Sequence, residues 1–125
     1  MISEDFVSFE TAKLLKEKGF NEKVICYYDD GGSLNLNKFV EFQCCNQGYG
    51  SNIFAAPTLQ MAMKWLREVH YKYCDVGYDI DLKWFIQIID LTESAEHSYP
   101  ENGSEFKSYE QACEEAIKYC LEKLI

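Results

Sequence analysis

Apolar residues recur at helical spacing in three stretches of the chain, and each stretch opens at a hydroxyl residue able to accept exposed backbone N–H groups. The first helix is predicted from a Ser8 cap to about Lys18, ending at Gly19, a residue that tolerates the left-handed conformation common after helix ends. The second starts near Pro57 and Thr58 and stacks Ala62, Trp65, Leu66 and Val69 on one stripe. The third starts at Ser108, whose hydroxyl forms a capping box with the Gln111 side chain, and it lines up Tyr109, Cys113, Ala116, Cys120 and Leu124.

Between the helices the period changes from 3.6 to 2, which predicts four strands. Val24 to Asp29 is the first, and Lys38 to Cys44 the second, with Val40, Phe42 and Cys44 on one face and Glu41 and Gln43 on the other. In the third, Cys74, Val76, Tyr78, Ile80 and Leu82 alternate with Tyr73, Asp75, Gly77, Asp79 and Asp81, giving one buried and one wet face. Trp84 to Leu91 is apolar on both faces, which places it centrally in the sheet or at a protein interface. Asp30, Gly31 and Gly32 supply a turn after the first strand, and Pro100, Asn102 and Gly103 mark another in Tyr99 to Ser104.

The order is α-β-β-α-β-β-α, an α+β fold with a mostly antiparallel four-stranded sheet packed by three helices, in a single domain spanning residues 1–125. The helix starts Ser8-Phe9-Glu10-Thr11-Ala12, Thr58-Leu59-Gln60-Met61-Ala62 and Ser108-Tyr109-Glu110-Gln111-Ala112 are spaced by 50 residues. That spacing suggests an α-β-β unit duplicated over 8–50 and 58–100 and closed by a helix over 108–124; five matching positions in any capped amphipathic helix would give the same appearance.

Over its helices the chain resembles a group of short proteins from gut anaerobic bacteria and their phages or other mobile elements. The resemblance rests on the run Asp5-Phe6-Val7-Ser8-Phe9-Glu10-Thr11-Ala12-Lys13-Leu14-Leu15-Lys16-Glu17-Lys18-Gly19-Phe20 and on Ala56-Pro57-Thr58 with Met61-Ala62-Met63-Lys64-Trp65-Leu66-Arg67-Glu68-Val69-His70. It continues in Tyr109-Glu110, Ala112-Cys113-Glu114 and Ala116-Ile117-Lys118-Tyr119-Cys120-Leu121-Glu122. That group has no assigned activity, so the resemblance implies no catalytic residue.

Composition narrows the function. The 125 residues are 47% hydrophobic and include 2 Trp, 9 Tyr and 8 Phe, enough for a packed core with aromatic surface to spare. A formal charge of -9 disfavours direct nucleic-acid binding, which depends on cations that displace phosphate counterions. Met1 to Phe9 carries Glu4 and Asp5 where an export signal would be basic and then apolar, and no run approaches a membrane span, so a cytoplasmic protein with reduced thiols and no membrane association is expected.

Candidate chemistry is sparse. Two His and six Cys without a C-x-x-C make a structural metal site a poor expectation, and no cofactor is expected. Cys44-Cys45 would point one thiol outward from a strand, but Gln43 and Asn46 offer no cation to activate it. Gly48-Tyr49-Gly50 lacks the third glycine of a dinucleotide fingerprint, and a triad built from Ser51 with His70 or His97 has no spacing to support it.

The expectation is therefore an interaction module without catalytic activity, binding a protein partner or a second copy through Tyr27, Glu41, Gln43, Tyr73, Asp75, Asp79 and Trp84. Two alternatives stand beside it. One is an acidic inhibitor that imitates nucleic-acid charge with the loop Asp90 to Glu105, which holds five carboxylates and no Lys or Arg; the other is a small enzyme using Cys45 or a carboxylate pair near His70.

Overall fold

Ser8 stands just outside the helical conformation, at φ -70° and ψ 165°, and its Oγ accepts the Thr11 N–H at 3.2 Å. Helix α1 (Phe9–Glu17) therefore begins where the cap residue predicts. At its other end Gly19, at φ 93°, donates to the Lys16 carbonyl and Phe20 donates to that of Leu15, the paired bonds of a left-handed helix terminus. Leu15 and Phe20, the apolar pair that accompanies this terminus, are both fully buried.

These details come from a computed structural model describing residues 2–36, 46, 52–81, 83–93, 95–97 and 106–125. Among the described residues the fold is α+β, with three helices and two small antiparallel sheets. The chain divides into two compact units, Met1–Thr58 and Leu59–Ile125.

In the first unit β1 (Cys26–Tyr28) lies between β2 (Leu34–Leu36) and β3 (Phe54–Ala55), pairing Cys26 with Leu36, Tyr28 with Leu34 and Tyr27 with Ala55. Asp29 shapes the β1–β2 turn: its Oδ1 accepts the N–H groups of Gly31 and Ser33, both at 3.0 Å, and its Oδ2 accepts the Asn35 amide. Gly32, at φ 83°, leaves room for the Phe9 ring, which a Cβ there would meet at 3.1 Å. Phe9 also packs against Tyr28 and Phe54, so one aromatic side chain joins α1 to the sheet.

The second unit opens with α2 (Leu59–Val69), which buries Leu59, Ala62, Met63, Trp65 and Leu66. The long hairpin follows, β4 (Lys72–Asp79) with β5 (Lys83–Asp90), and β6 (Ala95–His97) pairs on the far side of β5. Helix α3 (Tyr109–Tyr119) is capped by Ser108, whose Oγ accepts the Gln111 N–H at 3.1 Å. The return bond of the expected capping box lands one residue earlier, from the Lys107 N–H to Gln111 Oε1 at 2.7 Å. The chain then widens into a π-helical turn, Cys120–Leu124, which shifts the buried stripe onto Cys120 and Leu121 and leaves Leu124 half-buried.

Hairpin register sorts the side chains. Lys72, Cys74, Val76 and Tyr78 share a face with Trp84, Ile86, Ile88 and Asp90, and on this face Cys74, Ile86 and Ile88 are buried. Helix α2 packs on β4, while α3 packs on both β4 and β5 and on α2.

The sheet expectation needs correcting. Instead of one four-stranded sheet, the described residues form two three-stranded sheets, in the orders β2-β1-β3 and β4-β5-β6. The expected strand Lys38 to Cys44 lies outside the described residues. The third expected strand stops at Asp79 rather than Leu82, since Asp79 Oδ1 accepts the Asp81 N–H at 2.8 Å and starts the turn there.

Candidate interaction surface

Among the described residues of the second unit, the two most exposed large apolar side chains lie at the tip of its long hairpin, and Tyr71, Val69 and Leu91 are exposed away from it. Ile80 is 80% exposed and Tyr78 56%. Tyr78 and Trp84 are cross-strand partners, so the register brings their rings to 5.0 Å at 66°. Trp84 in turn meets Tyr109, the first residue of α3, at 5.6 Å and 69°. Edge-to-face pairs of this kind fix ring orientation more tightly than aliphatic contacts do.

Polar bonds hold the array. The Tyr109 hydroxyl accepts the Gln60 side-chain amide at 2.9 Å, tying α3 to α2, and burial raises its pKa above the ordinary phenol value. The Trp84 carbonyl accepts the Phe106 N–H at 3.1 Å, tying β5 to the segment leading into α3. At the tip Lys83 donates from Nζ to the Ile80 carbonyl at 3.1 Å. Asp79, Asp81 and Glu110, which adjoin Tyr78, Ile80 and Tyr109 in sequence, are exposed.

The residues expected to form an interaction surface do not stay together. Tyr27 is half-buried in β1 of the first unit. Glu41 and Gln43 lie outside the described residues. Tyr73, Asp75 and Asp79 share one face of β4, while Trp84 points to the other, toward α3. The face expected to be wet is mixed: Tyr73 and Asp75 are half-buried, as are Phe85, Gln87 and Ile89 across from them, and Asp79 is exposed. Phe85 covers Gly77 so closely that a Cβ there would lie 2.7 Å from the ring.

Tyr78, Ile80, Tyr109 and Gln60 were missed. Reading the strand on through Leu82 assigned Tyr78 and Ile80 to a buried face and concealed the turn. The signal was present in Asp79-Ile80-Asp81, because an Asp side chain that binds the backbone two residues on favours a turn over a strand.

Other candidate groups are engaged elsewhere or lie outside the described residues. Asp90, the first carboxylate of the expected acidic loop, is buried, pairs with Lys72 at 2.6 Å and accepts from the Thr92 N–H and hydroxyl. His70 packs its ring on Trp65 at 4.6 Å, and its Nε2 is buried without a hydrogen-bond partner among the described residues. Burial, then the nearby Lys72 charge, lowers its pKa below the ordinary imidazole value. Cys44, Cys45, Gly48-Tyr49-Gly50 and Ser51 all lie outside the described residues. Among the described residues no cluster of three or more His, Cys, Asp or Glu could hold a metal ion, and no helix is long and apolar enough to cross a membrane.

Comparison of the chain with protein-family models, curated proteins and solved structures finds no match.

Proposed function

We propose that the protein is an interaction module acting through the tip of its long hairpin, with Tyr78 and Ile80 as apolar anchors and Trp84 and Tyr109 as the rigid rim behind them. The observation that carries this reading is the exposure of Tyr78 and Ile80 on a hairpin end whose aromatic neighbours are held by cross-strand pairing and by the Gln60 bond. Aromatic side chains supply large contact area with little rotamer freedom to lose, a property shared by the residues that dominate protein interfaces. Carboxylates near the tip and the overall charge of -9 favour a protein segment with an apolar side chain flanked by basic residues over a nucleic acid.

The test compares the wild-type chain with a Tyr78→Ser/Ile80→Asp variant, whose changes fall on exposed positions and whose fold is checked by circular dichroism, because Tyr78 also packs on Trp84. Affinity capture is run with each, alongside light scattering for self-association. A partner or a dimer kept by the wild type and lost by the variant supports the reading. Equal retention by both chains refutes it.

A further inference from the structure

Two buried thiols meet within the second unit. Cys74 lies in the middle of β4 on the face packed by the helices, and Cys120 opens the π-helical turn after α3. Their Sγ atoms are 3.7 Å apart, a thiol hydrogen bond in which either can donate, and the residues are 6% and 0% exposed. A disulfide requires sulfurs about 2.05 Å apart, so forming the bond means the two sulfurs must close from contact to bonding distance. The other cysteines are placed differently. Cys26 belongs to the first unit, Cys44 and Cys45 lie outside the described residues, and Cys113 is engaged by the Tyr109 hydroxyl, with burial pushing its pKa up to about 11.

We infer that Cys74 and Cys120 are a site of reversible oxidative modification, joined as an intramolecular disulfide when a peroxide is the oxidant. Cys120 gives up its proton and its sulfur attacks one oxygen of hydrogen peroxide. The O–O bond breaks, the departing hydroxide takes up that proton to become water, and Cys120 is left as a sulfenic acid, oxidised by two electrons. The Cys74 sulfur then attacks the Cys120 sulfur. The S–O bond breaks, hydroxide leaves with the Cys74 proton as a second water, and the S–S bond forms. Two thiols and one peroxide yield one disulfide and two waters.

Location sets both rate and consequence. The hydrogen bond shared with Cys120, together with burial, pushes the Cys74 thiol well above the ordinary cysteine range, so the closed structure is slow to react. Cys120 is fully buried, so access for the peroxide requires local opening of the π-helical turn that carries it. Once formed, the bond ties β4 to that turn across 46 residues and restricts the unfolded chain over β5, β6 and α3. The inference is independent of whether the hairpin tip binds a partner.

Peptide mapping of the peroxide-treated full chain tests it. Trypsin separates the relevant thiols, with Cys74 in Tyr73–Lys83, Cys113 in Ser108–Lys118 and Cys120 in Tyr119–Lys123. After alkylation of free thiols in denaturant, the expected product is a peptide joining Tyr73–Lys83 to Tyr119–Lys123, two hydrogens lighter than its parts and cleaved by dithiothreitol. The oxidised chain should melt about 5–15 °C higher than the reduced one. Cys113→Ala should leave the cross-linked peptide in place. Full alkylation of Cys74 and Cys120 after treatment, their conversion to sulfinic acid without a bond, or a bond from Cys74 to Cys113 would each overturn the inference. Mapping needs only the wild-type chain, so misfolding of a cysteine variant cannot mask the answer.

Discussion

The two units begin alike and are held together differently. Each starts with a helix, α1 at Phe9 and α2 at Leu59, and then turns into an antiparallel hairpin. In the first unit the strands are two or three residues long, too short to bury a continuous face, and side chains bonded to the backbone do much of the organising. Asp29 shapes the turn, the Tyr28 hydroxyl donates to the Val7 carbonyl at 2.6 Å, Lys16 donates to the Ile53 carbonyl at 2.8 Å, and Asn46 bridges Phe20 to Ala55. In the second unit both main strands run eight residues, and the organising contacts are apolar: Ile86 and Ile88 under the helices, Phe85 over Gly77, Tyr78 against Trp84. Strand length thus decides whether a hairpin is fixed by packing or by polar bonds to the main chain.

The sharpest way to break that contrast is to remove apolar volume from the second unit. Ile88→Ala empties a fully buried site under the helices, and denaturant unfolding should show a loss of about 2–5 kcal/mol. The counterpart in the first unit is a polar deletion. Asn46 donates to the Phe20 carbonyl at 2.7 Å and accepts the Ala55 N–H at 2.9 Å, so Asn46→Ala should cost about 1–3 kcal/mol. Hydrogen exchange should then quicken at the Ala55 amide while the amides of Val76 and Ile86 keep their protection. Equal loss of protection in both hairpins would show that the units do not respond separately.

The same contrast explains what the sequence revealed. The helices were legible almost to the residue, because caps and helical periodicity are local: Ser8 and Ser108 each cap a helix, and α2 begins directly after Thr58. The long hairpin was legible from its alternation, and β5 lies between β4 and β6, one of the two placements its apolar faces allow, the other being a protein interface. Strands β2 and β3 were not legible. Leu34-Asn35-Leu36 and Phe54-Ala55 are too short to show a period, and they are selected by β1 through long-range pairing. For the candidate surface the sequence supplied Trp84 but not its neighbours. Tyr109 joins Tyr78 and Trp84 only through the docking of α3 on the hairpin, which no local window contains.

Two smaller effects sharpen the picture of the second unit. Gly77→Ala places a Cβ within 2.7 Å of the Phe85 ring and should cost about 1–2 kcal/mol, and Phe85→Ala should relieve that cost in a double-mutant cycle. A cost that persists in the Phe85→Ala background would assign it to the backbone instead. The pH response comes from His70. Its folded pKa lies below the ordinary 6.5, so its neutral form is favoured by the fold, and the stability it contributes is full above pH 6.5 and is lost as pH falls from there through the folded pKa. The ring is only half-buried, so the loss should stay under about 1 kcal/mol. Thermal melts between pH 7.5 and 5.5 should show it in the wild type and much less of it in His70→Gln.

The least of the expected effects differs in sign between the units. Among the described residues, left-handed backbone positions in the first unit are glycines, Gly19 at φ 93° and Gly32 at φ 83°, whereas the second unit places Tyr71 at φ 57° and Lys83 at φ 62°. An L-residue in that region costs about 1–2 kcal/mol, and glycine forfeits about 0.5–1 kcal/mol of chain entropy on folding. At Gly19 nothing lies within 4 Å of an added Cβ, so Gly19→Ala isolates the backbone cost and should destabilise by roughly 0.5–1 kcal/mol. Lys83→Gly relieves the same cost and gives up only an exposed bond from Nζ to the Ile80 carbonyl, so it should stabilise by a similar amount or slightly less. Matched denaturant titrations read both signs. If Lys83→Gly destabilises instead, the lysine bond at the tip holds the turn, and the second hairpin relies on a polar clamp as the first does.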